Sequence, residues 1–152
     1  MLRRAAPLAT AVVVLLFVIA LSACGDDSLT AQQLHDQATA ICTRTAAATD
    51  RVVVPSTPSQ GRRFLRQGLA HLRPAVAQLR DLKAPEKLRE RYDRAVQLAG
   101  QEAALIARYE RAIDGGDEVI DTYRQLEAAL EPLLMQENAY WRGLEVPACV
   151  RR

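Results

Sequence analysis

The chain has 152 residues, room for one domain and a targeting segment. Its formal net charge is +2, and Arg3 and Arg4 account for it, since from residue 24 onward 18 basic residues face 18 acidic ones. The downstream part is therefore close to neutral, which removes any global electrostatic case for nucleic acid, while a hydrophobic fraction of 49% is ordinary for a globular protein.

The first element is a leader. Arg3 and Arg4 form a short positive segment, and an apolar run follows from Leu8 to Leu21. This is the pattern of a secretory signal peptide, with the positive end retained in the cytoplasm. The run stops at Gly25-Asp26-Asp27 and is short for a membrane span, so a plain transmembrane anchor is the weaker reading. It ends in Leu21-Ser22-Ala23-Cys24, which resembles the lipobox of bacterial lipoproteins. That resemblance implies cleavage before Cys24, diacylglycerol on its thiol and acylation of the freed amine. The expected division is a signal peptide over 1–23, a short tether over 24–29 and a helical domain over 30–152.

Helix one is expected to begin after Thr30, because Thr30-Ala31-Gln32-Gln33 matches a capping box with glutamine at the third helical position. Leu34, Ala38, Ile41, Thr45, Ala48 and Val52 then trace one helical face. Val52-Val53-Val54-Pro55 ends it. Helix two is expected at Thr57-Pro58-Ser59-Gln60, with Thr57 as cap, and its stripe is Leu65, Leu69, Leu72, Val76 and Leu79. Pro74 falls inside it and predicts a kink or a freed carbonyl. Ala84-Pro85-Glu86 turns into helix three, whose face carries Leu88, Tyr92, Val96, Ala99, Ala103, Ile106 and Ile113. Asp114-Gly115-Gly116-Asp117 is a stop and restart signal, with Asp117 the expected cap of helix four. That helix has Ile120, Tyr123, Leu126, Leu130, Leu133, Tyr140 and Leu144 on its face, and Pro132 predicts a second kink.

Four amphipathic helices with short connections predict an all-α, antiparallel up-down four-helix bundle. With Cys24 acylated, Cys42 and Cys149 remain as an even pair in an oxidising compartment, which predicts a disulfide. Two free thiols or a shared metal are the alternatives, and the lack of nearby histidines makes a poor zinc site. In the bundle, helix four ends beside the start of helix one. Cys42 lies about 18 Å up helix one, and the tail from Gly143 to Cys149 reaches about 20 Å when extended. The tail is thus expected to fold back along the seam between helices one and four and to bury Val146 or Val150.

The lipobox, Ala40-Ile41-Cys42, the Leu79-x-x-Leu82-x-x-Pro85 hinge and Tyr140-Trp141-Arg142-Gly143-Leu144 before Cys149 together resemble small helical lipoproteins of high-GC Gram-positive bacteria. The resemblance implies the helical fold and the Cys42–Cys149 pairing. It implies no activity.

No phosphate-binding glycine loop, nucleophile elbow or H-E-x-x-H signature is present, so no catalytic residue, metal site or cofactor beyond the acyl anchor is expected. His35 and His71 have Gln32 and Gly68 three residues before them, which excludes a di-iron bundle. Glu102 and Glu137 fall on or beside the apolar stripes. They are expected at the stripe edge, reaching water or Arg108 or Arg142, rather than as a buried pair able to hold a cation or raise a pKa. Arg66, Arg73 and Arg80 are seven residues apart and line one flank of helix two, where they would meet an anionic envelope lipid or polymer unless acidic neighbours pair with them. The functional expectation is a non-catalytic, membrane-tethered interaction module on the extracytoplasmic face of the cell membrane, meeting such a surface or another envelope protein. The alternative is a carrier holding a small apolar ligand inside the bundle.

Overall fold

A computed structural model describes residues 27–151. The expected signal peptide over 1–23 and the expected lipidation site, Cys24, lie outside these residues. Four helices follow one another: α1 (Ala31–Thr49), α2 (Gly61–Asp81), α3 (Glu86–Asp114) and α4 (Val119–Gly143). A 3-10 turn, Pro58–Gln60, leads into α2, and a second, Pro147–Cys149, forms in the tail. Among the described residues there is no strand. The helices pack as a bundle, α1 on α2, α2 on α3 and α3 on α4.

The start of α1 follows local chemistry. Thr30 Oγ1 accepts from Gln33 N at 3.2 Å, and Gln33 Oε1 accepts from Thr30 N at 2.9 Å. Both ends of the expected capping box are therefore closed. The helix stops at Thr49, short of Val52. The β-branched run before Pro55 disfavours further helix, and Val53 and Val54 stand in solvent at 79% and 74% exposure.

Two caps differ from expectation. Thr57 makes no capping bond. Gln60 Oε1 instead accepts from Ser56 N at 3.0 Å, one residue earlier, and Pro58 is spent on the 3-10 turn. At the α3–α4 connection, Asp117 is not the N-cap. Its N–H bonds Ala112 O at 3.1 Å and closes the end of α3. The cap passes to Glu118, whose carboxylate accepts from Asp121 N at 2.8 Å. Gly116 makes the reversal at a φ of 105°, a left-handed conformation that a side chain would strain.

Neither internal proline ends its helix: α2 runs through Pro74 and α4 through Pro132, both on the exposed side. In α4 the inward register is carried by Thr122, Leu126, Glu137 and Trp141. Ile120, expected on that face, is 47% exposed.

The tail crosses back as expected. Cys42 and Cys149 are disulfide-bonded, with Cα atoms 5.0 Å apart. Val146 is buried and Val150 half-buried in a cluster with Leu34, Ala38, Ile41, Tyr92 and Trp141. The tail turn, more than α4 itself, meets the free flank of α1. At the same end, Leu29 N bonds Lys83 O at 2.8 Å, so the N-terminal lead, the α2–α3 turn and the tail form one base.

Candidate functional site

Two constellations stand out, one buried and one on the surface. The buried one lies where α3 and α4 meet under the tail. Glu102 on α3 is 7% exposed and Glu137 on α4 is 1% exposed. The stripe-edge expectation is thus overturned: the tail closes over both carboxylates. Trp141 Nε1, one turn along α4, donates to Glu137 Oε1 at 2.9 Å. The arginine that answers them is neither Arg108 nor Arg142. Arg108 lies over the ring of its neighbour Tyr109, 5.5 Å from the centroid. Arg151 in the tail places Nε 3.5 Å from Glu102 Oε2. Asn138 holds Arg151 in place through a backbone pair: its Nδ2 donates to Arg151 O at 2.9 Å and its Oδ1 accepts from Arg151 N at 2.7 Å.

One oxygen of each carboxylate has no hydrogen bond. Beside them is a cavity of about 20 Å³, bounded among others by Cys42, Thr45, Leu72, Glu137, Cys149 and Arg151. That is room for a single water. Two acids and one guanidinium leave the cluster a charge out of balance, and burial penalises the surplus. Burial first, and then the Glu102 carboxylate, push Glu137 up to about 7, against the Trp141 bond and Arg151. Glu102 is also raised by burial, with Arg151 opposing. The pair therefore tends to retain a proton at neutral pH. Sequence signals for this cluster existed in part: Glu137 and Trp141 are four apart on one helix face. The Arg151 partner had no such signal, because a folded tail brings it in.

The surface constellation is the flank of α2. Arg66 does not stand with Arg73 and Arg80 as an open row. Its Nε and Nη2 donate to Glu110 Oε1 on α3 at 3.1 and 2.9 Å. Arg62 pairs with Asp114 one turn beyond. Further along the α2–α3 seam the acidic partners cease. Arg73 and Arg80 are exposed and carry no ion pair or side-chain hydrogen bond among the described residues, and the same holds for Arg111 on α3. These three arginines line a groove of about 390 Å³. Its walls and floor include Gly100, Ala103, Ala104 and Ala107 of α3.

The remaining candidates are dispersed. His35 Nδ1 sits 3.2 Å from Asp36, and His71 lies beside the Arg51–Val53 segment. No group of three or more metal-ligating side chains converges among the described residues. No helix there is long and apolar enough to cross a membrane. Comparison with known proteins finds no family model, no curated protein and no solved structure that matches this chain.

Proposed function

We propose that this chain is a lipoprotein of the extracytoplasmic face of the cell membrane, anchored through diacylglycerol on Cys24, whose helical domain is a non-catalytic interaction module. The observation that carries the reading is the Cys42–Cys149 disulfide, because such bonds persist in exported proteins and the leader ending at Cys24 is the means of export. The base of the domain fits a tether. Asp27 is three residues from Cys24 and pairs with Lys83 at 3.3 Å, so chain length alone holds the base within about 10 Å of the acylated residue. The non-catalytic reading is supported by the sealing of Glu102 and Glu137, since a group that acts on a substrate must meet it. The carrier alternative gains nothing from an interior cavity of about 20 Å³, well below the several hundred that a small ligand fills.

Substitution Cys24→Ser tests the anchor. The expected outcome is an uncleaved, unacylated precursor, read by mass spectrometry and by detergent partitioning. A variant still processed and acylated would overturn the reading.

A further inference from the structure

We infer that the groove between α2 and α3, walled by Arg73, Arg80 and Arg111, is a binding site for a linear chain of phosphate groups. The inference adds a ligand chemistry to the interaction module proposed above. It rests on α2 and α3 alone, so it does not depend on acylation of Cys24.

The first support is the change of pattern along one seam. At its distal end each arginine of α2 that faces α3 has an acid opposite: Arg62 meets Asp114 and Arg66 meets Glu110. One turn further the positions on α3 that continue this face are Ala107, Ala104, Ala103 and Gly100. No acidic side chain lines the groove. Three guanidinium groups thus face one concavity with no acidic partner among the described residues. Like charges held along one groove repel, and a bound polyanion removes that cost.

The second support is the floor. A Cβ at Gly100 would collide with Arg80 Nη2, so the guanidinium lies directly against the α3 backbone. Glycine inside a helix destabilises it relative to alanine. Here it leaves room for the Arg80 guanidinium beside the helix, while the residue stays exposed at the groove. The small side chains at 103, 104 and 107 leave the rest of the trough open.

The third support is spacing. Arg73 and Arg80 are two turns apart, about 10 Å along α2. A single tetrahedral anion does not span that distance, whereas successive phosphates of a linear chain do. Guanidinium forks bind phosphate oxygens in bidentate fashion. A flat lipid surface suits the site less well, because the groove is concave and Arg80 is turned toward its floor.

Tripolyphosphate is a suitable probe. The full chain, purified in neutral detergent, is titrated with it by calorimetry at low ionic strength. The expected result is saturable binding of one molecule per chain. Raising salt to about 300 mM should weaken it at least several-fold. Arg73→Gln, Arg80→Gln and Arg111→Gln combined should weaken binding by about tenfold or more. Ala104→Glu, which places an acid on the exposed floor, should do the same while leaving the helical melt intact. Charge-matched changes elsewhere, Arg51→Gln, Arg89→Gln and Arg142→Gln combined, should leave affinity within about twofold. Vesicles of phosphatidylglycerol provide the competing arm. Failure to bind tripolyphosphate, equal loss in the charge-matched control, or binding to the vesicles alone would each overturn the proposal. A loss of acylation at Cys24 would not touch it.

Discussion

The base of the bundle and its distal half are built from the same four helices but not in the same way. The base core joins Leu34, Ile41, Leu79, Tyr92, Trp141 and Val146, and the Cys42–Cys149 bond passes through it. Tyr92 meets Trp141 edge-on with ring centroids 6.0 Å apart, and its hydroxyl donates to Leu79 O at 2.7 Å. The distal core is thinner. Leu69, Leu72 and Val76 pack there on Ala99, Ala103 and Ala107. Beyond it, Val53, Val54 and Ile120 stand exposed, and Pro55, Pro58, Ile120 and Tyr123 line an open trough. The difference follows from side-chain size: alanines let α2 and α3 approach closely but bury little area per residue. Two of these alanines, Ala103 and Ala107, also line the arginine groove. The molecule is thus stapled at its base and lighter at its distal end.

The comparison breaks most visibly at the disulfide. The bond closes a loop across 107 positions of sequence, for which chain entropy gives about 4–5 kcal/mol. Cys149→Ser, or reduction, should lower the melting temperature by about 10 °C or more, followed by circular dichroism. The released tail also takes Arg151 from Glu102 and exposes Val146. A melting curve unchanged by reduction would mean that the base is not the stapled half.

Next come paired truncations. Leu79 and Leu69 are buried alike, in the base and in the distal core respectively. Leu79→Ala should cost about 4 kcal/mol, because the rigid aromatic pair and the tail cannot close on the cavity. Leu69→Ala should cost about 2 kcal/mol, since the thinner layer relaxes. Equal losses in urea titration would erase the distinction.

The acid pair sharpens the comparison through pH. Glu137 is raised from its ordinary range to about 7 in the folded chain. Below the unfolded value both states hold the proton and nothing is lost. As pH rises, the unfolded chain ionises first, so stability falls through pH 7. Glu137 alone accounts for about 3 kcal/mol between pH 4 and pH 8, and Glu102 shifts in the same sense. Glu137→Gln keeps an acceptor for Trp141 Nε1 and should flatten this profile. Glu118 acts in the opposite direction and in a more acidic window, because its capping bonds lower it. Wild-type stability that rises steadily from pH 5 to pH 8 would show the pair to be ionised and fully paired.

The smallest effect belongs to the distal end. Tyr123 OH donates to Gly61 O at 2.7 Å and fastens the start of α4 to the start of α2. Partial burial pushes Tyr123 up to about 12. Tyr123→Phe should cost about 1 kcal/mol, with the loss confined to protection of amides near residues 57–61 and 119–123 in hydrogen exchange. Loss of protection at the base would tie the two halves more closely than their packing implies.

Periodicity made the helices legible. Leu34, Ala38, Ile41 and Thr45, or Leu65, Leu69, Leu72, Val76 and Leu79, recur at helical spacing and all are buried, because an amphipathic stripe has only one way to leave water. The Thr30 capping box and the Gly115-Gly116 stop were equally local, since each is satisfied within a few residues of chain. The cysteine pair was legible by count and by reach. Tertiary packing decided the rest. Sequence periodicity placed Ile120 inward and left Glu137 at an edge, whereas the turn at Gly116 and the return of the tail set the register in which Trp141 and Glu137 face the core. Which arginines remain unpaired was decided by what α3 sets opposite them, Glu110 for Arg66 and only Gly100 and alanines for Arg80. Pattern along a chain measures which side of a helix avoids water. It does not carry the identity of the neighbour across a seam, and charge pairing and carboxylate burial depend on that neighbour.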